Sequence, residues 1–201
     1  MSRRARFKRK TTETEISAAV FLDGSGLSRI ATPFKFLDHM LASLARHGRF
    51  DLDLKARGDV EVDGHHLVED CGLVLGRTFD LALGDRKGIN RAGFFVFPMD
   101  EALAVAAVDI GGRPVLQYEA EFRRRFCGDM DTDLLPDFFQ AFAAGLAANV
   151  VVRMPYGRSD HHRVEAAFKA FGRALRMACS LDPRGRDGVP STKGAIDVGC
   201  R

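Results

Sequence analysis

Two long stretches of the chain repeat apolar residues at helical spacing, Leu67 to Leu83 and Val164 to Cys179, and each follows directly on a pair of histidines. Gly84-Asp85 stops the first and Pro183 follows the second. Upstream of each lies the same order of patterns. Phe36-Leu37-Asp38-His39-Met40-Leu41 opens a short apolar helix, and Phe50-Asp51-Leu52-Asp53-Leu54 then alternates as a half-buried strand does. In the second half Leu134 to Ala148 predicts the helix and Val150-Val151-Val152-Arg153 the strand. Further strands are predicted over Ile16 to Leu22, Phe94 to Phe97 and Leu103 to Ile110. Turns fall at Asp23-Gly24-Ser25-Gly26 and Gly111-Gly112-Arg113-Pro114.

The pattern repeats because the sequence does. Gly64-His65-His66-Leu67-Val68-Glu69 is matched 96 residues later by Asp160-His161-His162-Arg163-Val164-Glu165, and Gly76-Arg77 recurs at the same offset as Gly172-Arg173. The simplest architecture is an internally duplicated α+β fold of two similar half-domains, residues 1–86 and 87–201, with the boundary near Gly84 to Arg91. Each half is a small, mostly antiparallel sheet with two helices, the helices packed together between the sheets in one compact unit. Halves this small leave faces uncovered, so further burial between subunits is expected.

Composition changes this picture little. With 201 residues, 46% hydrophobic and 28% charged, the chain has the make-up of a soluble globular protein. No apolar run approaches the roughly 18 to 20 residues of a membrane span, and Met1 to Lys10 lacks the apolar stretch of a secretory signal. The expectation is a cytoplasmic protein with no membrane partner. Cys71, Cys127, Cys179 and Cys200 are too scattered for a zinc knuckle or redox pair and read as reduced, structural residues. The net charge of +3 is mild, although Ser2 to Lys10 concentrates basic residues at one end. That run could touch nucleic acid, but no aromatic platform accompanies it; it is read as a solvated tail leading into a first strand, with no nucleic-acid partner.

The histidines carry the chemistry. On a helix, residues four apart share a face with roughly 5 to 6 Å between Cβ atoms, so His65 with Glu69, and His161 with Glu165, can each bind one cation. His66 and His162 are rotated about a hundred degrees away and serve a different ion or none. A twofold-like repeat offers a scheme in which each helix gives its His/Glu pair to one ion and its second histidine to the ion of the opposite helix. Imidazole and carboxylate without thiolate suit manganese, iron or zinc in a catalytic site, and an octahedral preference favours Mn²⁺.

At this point the residues resemble a known family, the imidazoleglycerol-phosphate dehydratases. The resemblance runs from about Arg9 to Gly194 and rests on Phe36 to Leu41, Asp63 to Asp70, Pro98-Met99-Asp100-Glu101-Ala102-Leu103, Ser159 to Ala166 and Pro190-Ser191-Thr192-Lys193-Gly194. It implies a lyase of histidine biosynthesis that dehydrates imidazole glycerol phosphate to imidazole acetol phosphate. It also implies two Mn²⁺ per active site, or another divalent transition metal, and a large symmetric homo-oligomer of 24 subunits with sites shared between them. His39, His65, His66, Glu69, His161, His162 and Glu165 are implied as metal ligands. An eighth ligand is a histidine in the family pattern, but Leu134-Leu135-Pro136-Asp137-Phe138-Phe139 puts Asp137 at that place. A carboxylate can ligate manganese, so Asp137 is kept as a ligand; after Pro136 it is also an acid favoured by the helix dipole.

The implied chemistry uses the azole ring as electron reservoir, because the proton lost sits on a carbon with no adjacent carbonyl. Two metals on the two ring nitrogens would stabilise an imidazolate. Glu13, in Thr11-Thr12-Glu13-Thr14, matches the family's proton shuttle, though alone it reads as a surface glutamate. His47 resembles a substrate-contacting histidine and alone reads as a helix C-terminal residue before Gly48. The resemblance thus makes Glu13, His47 and Glu165 the catalytic candidates. Arg91, Arg113, Lys169, Ser191, Thr192 and Lys193 match substrate-binding positions, with an ordinary salt bridge to Glu165 as the plain reading of Lys169. Two other classes are kept open at this point: a dinuclear phosphoester hydrolase and a metal-stapled, non-enzymatic oligomer.

Overall fold

A computed structural model describes residues 2–185 and 188–196. The first half runs β1 (Arg4–Lys10), β2 (Thr14–Phe21), β3 (Ser28–Ala31), α1 (Lys35–Gly48), β4 (Asp51–Gly58) and α2 (His65–Leu83). The second runs β5 (Ala92–Met99), β6 (Ala102–Asp109), β7 (Val115–Glu119), the two-residue strands β8 (Phe126–Cys127) and β9 (Met130–Asp131), a 3-10 turn at Thr132–Leu134, α3 (Leu135–Leu146), β10 (Asn149–Tyr156) and α4 (Asp160–Cys179). The sheets have orders β1-β2-β4-β3 and β5-β6-β10-β7. These are one topology used twice. In each sheet one pairing is parallel, β3 with β4 and β7 with β10, and the others are antiparallel. The duplicated α+β fold expected from the repeat is therefore the fold observed.

Alternation within the strands sets the layers. β2 buries Thr14, Ile16, Ala18 and Val20, and β6 buries Ala102, Ala104, Ala106 and Val108, so one face of each sheet lies on the helices. The four helices fill the middle, with α2 against α3 and α1 against α4. Glycine permits this closeness. A Cβ on Gly76 would stand 2.3 Å from the carbonyl oxygen of Phe142 in α3, and one on Gly172 would stand 2.5 Å from that of Leu44 in α1. The glycines that recur in the sequence are thus among the points, with Gly72 and Gly145, where helices of different halves touch backbone to backbone. Between these crossings Phe79, Phe142, Phe171 and Phe139 form a chain of edge-on rings with centroids 5.0–5.6 Å apart.

The basic run departs from the sequence reading. Arg4–Lys10 is not a tail but strand β1 itself, paired with β2 from Arg4↔Phe21 to Lys10↔Glu15. Its alternation explains why: Ala5, Phe7 and Arg9 are half-buried while Arg4, Arg6, Lys8 and Lys10 face water. Cys71, Cys127 and Cys179 are buried and unpaired, and burial pushes the thiols up, Cys127 to about 11 and Cys179 to about 12. Cys200 lies outside the described residues. Among the described residues no helix is long and apolar enough to cross a membrane.

Candidate active site

Both histidine pairs open a long helix, so α2 carries His65 and Glu69, and α4 carries His161 and Glu165, one turn apart on a shared face. Each pair meets a third donor from the helix packed against it. His39 of α1 brings Nε2 to 3.6 Å from Glu165 Oε1, and His161 Nε2 lies 3.3 Å from Glu165 Oε2. Donor atoms of these three residues all fall within 4.8 Å of one another. The α2 group is looser: Asp137 of α3 brings Oδ2 to 3.1 Å from His65 Nδ1, while Glu69 Oε2 lies 3.6 Å from Nε2, so the two carboxylates stand at opposite nitrogens of one ring. His39 and Asp137 hold matching places, each ten residues before the left-handed residue that ends its helix, Arg49 and Ala147. Asp137 also stands in the first turn after Pro136, so it is at once a helix-terminal acid and a member of the cluster.

His66 and His162 point elsewhere, as rotation about the helix requires. His66 Nδ1 faces Asp59 at 3.3 Å, and His162 Nδ1 faces Glu101 Oε2 at 2.9 Å. The second oxygen of Glu101 accepts the backbone N–H of Ser159, the cap of α4, at 2.7 Å, so one carboxylate fixes both the helix start and the ring. His162 and that backbone N–H hold the Glu101 carboxyl down at about 2. Asp59, with lesser help from Glu13, raises the His66 imidazole above its ordinary value. With Nδ1 bonded to a carboxylate, Nε2 of each ring is the atom left as a donor to a cation. Among the described residues of this single chain, neither second histidine joins the opposite cluster, so the exchange scheme is not made within one chain. The convergent donors of His39, His161 and Glu165, imidazole and carboxylate without thiolate, nonetheless suit a divalent cation.

The remaining candidates fall in two places. Glu13 tops the β1–β2 hairpin, whose tip is tied by Glu13 and Thr14 N–H groups donating to Thr11 Oγ1 at 3.1 and 3.0 Å; its carbonyl accepts the N–H of Asp59. His47 lies on α1 beyond His39, edge-on to Phe97, with Lys169 and Arg173 nearby. Burial, then those two cations, lowers its pKa from 6.5. Lys169 Nζ is 3.0 Å from Glu165 Oε1, the salt bridge its spacing suggests. Burial raises the Glu165 pKa, but that lysine and the two histidines outweigh it and hold the carboxyl below its ordinary value.

At one end of the second sheet Arg91 forms a two-pronged pair with Asp109, at 2.6 and 2.9 Å, and donates from Nη1 to Pro190 O at 2.9 Å. The Gly111-Gly112-Arg113 turn adjoins it: a Cβ on Gly111 would lie 3.1 Å from Arg91 Nη2. Ser191 to Gly194 forms a turn closed by Gly194 N–H on Ser191 O at 3.0 Å, leaving Thr192 and Lys193 exposed. Arg113 and this turn therefore flank Arg91. A surface cavity of about 880 Å³ lies elsewhere, against β1, β2 and β4, and holds none of the candidate residues.

The family model described as imidazoleglycerol-phosphate dehydratase matches residues 32–175, a span holding both clusters. The chain belongs to that family. The imidazoleglycerol-phosphate dehydratase of Koribacter versatilis is 50% identical over 194 residues, 96% of this chain and 100% of its own. That of Gluconacetobacter diazotrophicus is 50% identical over 97% of this chain and 98% of its own. Among solved structures, the enzyme of Staphylococcus aureus superposes with a TM-score of 0.80 at 34% identity, covering 89% of this chain and 99% of its own. That of Pyrococcus furiosus also scores 0.80 at 34% identity, over 94% and 100%. As an imidazoleglycerol-phosphate dehydratase the protein is a hydro-lyase of histidine biosynthesis.

Sequence reasoning missed the carboxylates behind the imidazoles of this dehydratase. Glu101 lay in a quoted motif without a role, and Asp59, seven residues before His66, carried no spacing signal. Asp160 was also missed; it accepts the backbone N–H groups of Arg123 and Arg124 at 3.0 and 2.9 Å and so holds that loop against the α4 start.

Proposed function

We propose that the protein dehydrates imidazole glycerol phosphate to imidazole acetol phosphate at sites completed by a second copy of the chain, with two divalent cations, manganese by preference, held on the His39–His161–Glu165 and His65–Glu69–Asp137 clusters. The observation that carries this is the convergence of the His39, His161 and Glu165 donors, with His65, Glu69 and Asp137 grouped at the equivalent place in the duplicated fold. Their ions would supply Lewis acidity at both ring nitrogens, making the azole able to accept electron density. His66 and His162 turn Nε2 outward to complete clusters on neighbouring copies, which makes the symmetric homo-oligomer, 24 subunits by the family resemblance, a condition of activity. Exposed Phe94 and Val96 on β5 support burial of that face between copies.

Glu13 takes the proton from the carbon beside the departing hydroxyl, and the resulting enol tautomerises to the ketone. His47, kept neutral by burial and two cations, accepts a hydrogen bond from the glycerol chain, with Lys169 beside it. Arg91, Arg113, Ser191, Thr192 and Lys193 hold the phosphate through charge-assisted hydrogen bonds. Buried, reduced cysteines fit a cytoplasmic location. The test is incubation of the purified protein with substrate and Mn²⁺. Acetol product with the phosphate retained is expected; inorganic phosphate released without that product would refute the proposal.

A further inference from the structure

The two groups hold equivalent places in the duplicated fold but differ in donors and in closeness: donor atoms of His39, His161 and Glu165 fall within 4.8 Å of one another, whereas Glu69 and Asp137 flank opposite nitrogens of His65. Around Glu165 stand two imidazoles, His39 and His161, and the carboxylate is largely buried and paired with Lys169 Nζ at 3.0 Å. Around His65 stand two carboxylates, Glu69 and Asp137, both more open to solvent, and among the described residues no lysine or arginine pairs with either. One cluster therefore offers two nitrogens and one oxygen with its single negative charge offset. The other offers one nitrogen and two oxygens with both charges uncompensated. Imidazole-rich sets favour ions such as zinc and nickel, whereas carboxylate-rich sets favour harder ions such as manganese and magnesium.

We infer that the protein has two unequal metal sites: His39–His161–Glu165 retains its ion and holds manganese or a nitrogen-preferring metal, while His65–Glu69–Asp137 exchanges its ion and favours hard divalent cations. This rests on the metal-site reading above and deepens it. Asp137 is the residue that makes the difference, because it stands where α1 provides an imidazole.

The test loads the intact protein with Zn²⁺, washes it with graded chelator and counts zinc per chain by elemental analysis. Two steps are expected, half of the zinc leaving at a chelator concentration at least the roughly 10- to 100-fold lower that even an outer-shell change can cause. Asp137→His should move the early step towards the late one, and His39→Asp should move the late step towards the early one. With Mn²⁺ the wild-type steps should draw together. A single wild-type step for zinc, or an Asp137→His profile identical to wild type, would overturn the inequality while leaving two sites standing. No retained metal in wild type, with neither substitution having an effect, would overturn the metal-site reading and this inference together.

Discussion

His66 and His162 show how one residue of rotation separates two tasks. Their neighbours His65 and His161 face Asp137 and Glu165, while they turn Nδ1 to Asp59 and Glu101. The motif itself was legible because both pairs share a glutamate spacing. The orienting carboxylates were not, because Asp59 sits in a loop seven residues before His66 with no periodic spacing and Glu101 comes from a turn 61 residues before His162, so only the fold decides their approach. Glu13 tests the proton step: Glu13→Gln should lower kcat by about 10²- to 10⁴-fold with metal content and assembly unchanged. Activity within a few-fold of wild type would remove Glu13 from that step. His47 sets a pH signature. Its folded pKa lies below 6.5, because burial and the Lys169 and Arg173 cations oppose the imidazolium. As pH falls through 6.5 the unfolded chain gains a proton that the folded form resists, so this group costs stability from there down to its folded pKa. An NMR titration should give a His47 midpoint below 6.5, moved upward by Arg173→Gln; a wild-type midpoint at or above 6.5 would contradict the assignment.

At the scale of elements, long periodic segments were readable and short ones were not. Histidine pairs followed by helical spacing gave α2 and α4, because an amphipathic run of that length has few alternatives. β3 and β7 are four and five residues long and held by parallel pairing to β4 and β10, a contact with no local signal. Arg4–Lys10 was hidden by charge, although its small and apolar residues alternate as an edge strand's do. The repeated glycines were visible in the sequence, but their purpose appears only where helices cross. Gly172→Ala would press a methyl group to 2.5 Å from Leu44 O and should destabilise the fold by about 1–3 kcal/mol, read as a lower denaturant midpoint. An unchanged midpoint would mean that the α1–α4 crossing relaxes freely.

For the whole molecule, duplication explains why the histidine–carboxylate groups come as two equivalent sets. Two copies of a sheet-and-helix unit, packed helix to helix, place a histidine–carboxylate group at each of two equivalent crossings and set a further imidazole beside each against a different carboxylate. The family resemblance singled out the histidines and carboxylates of these groups, yet the pairing of α1 with α4 and of α2 with α3 required the fold. The most direct measurement is an anomalous-scattering map from crystals of the protein grown with Mn²⁺. The account predicts a peak at His39–His161–Glu165 and another at His65–Glu69–Asp137, each also reached by Nε2 of His66 or His162 from a neighbouring copy. Crystals of active protein with no peak at either cluster would contradict it.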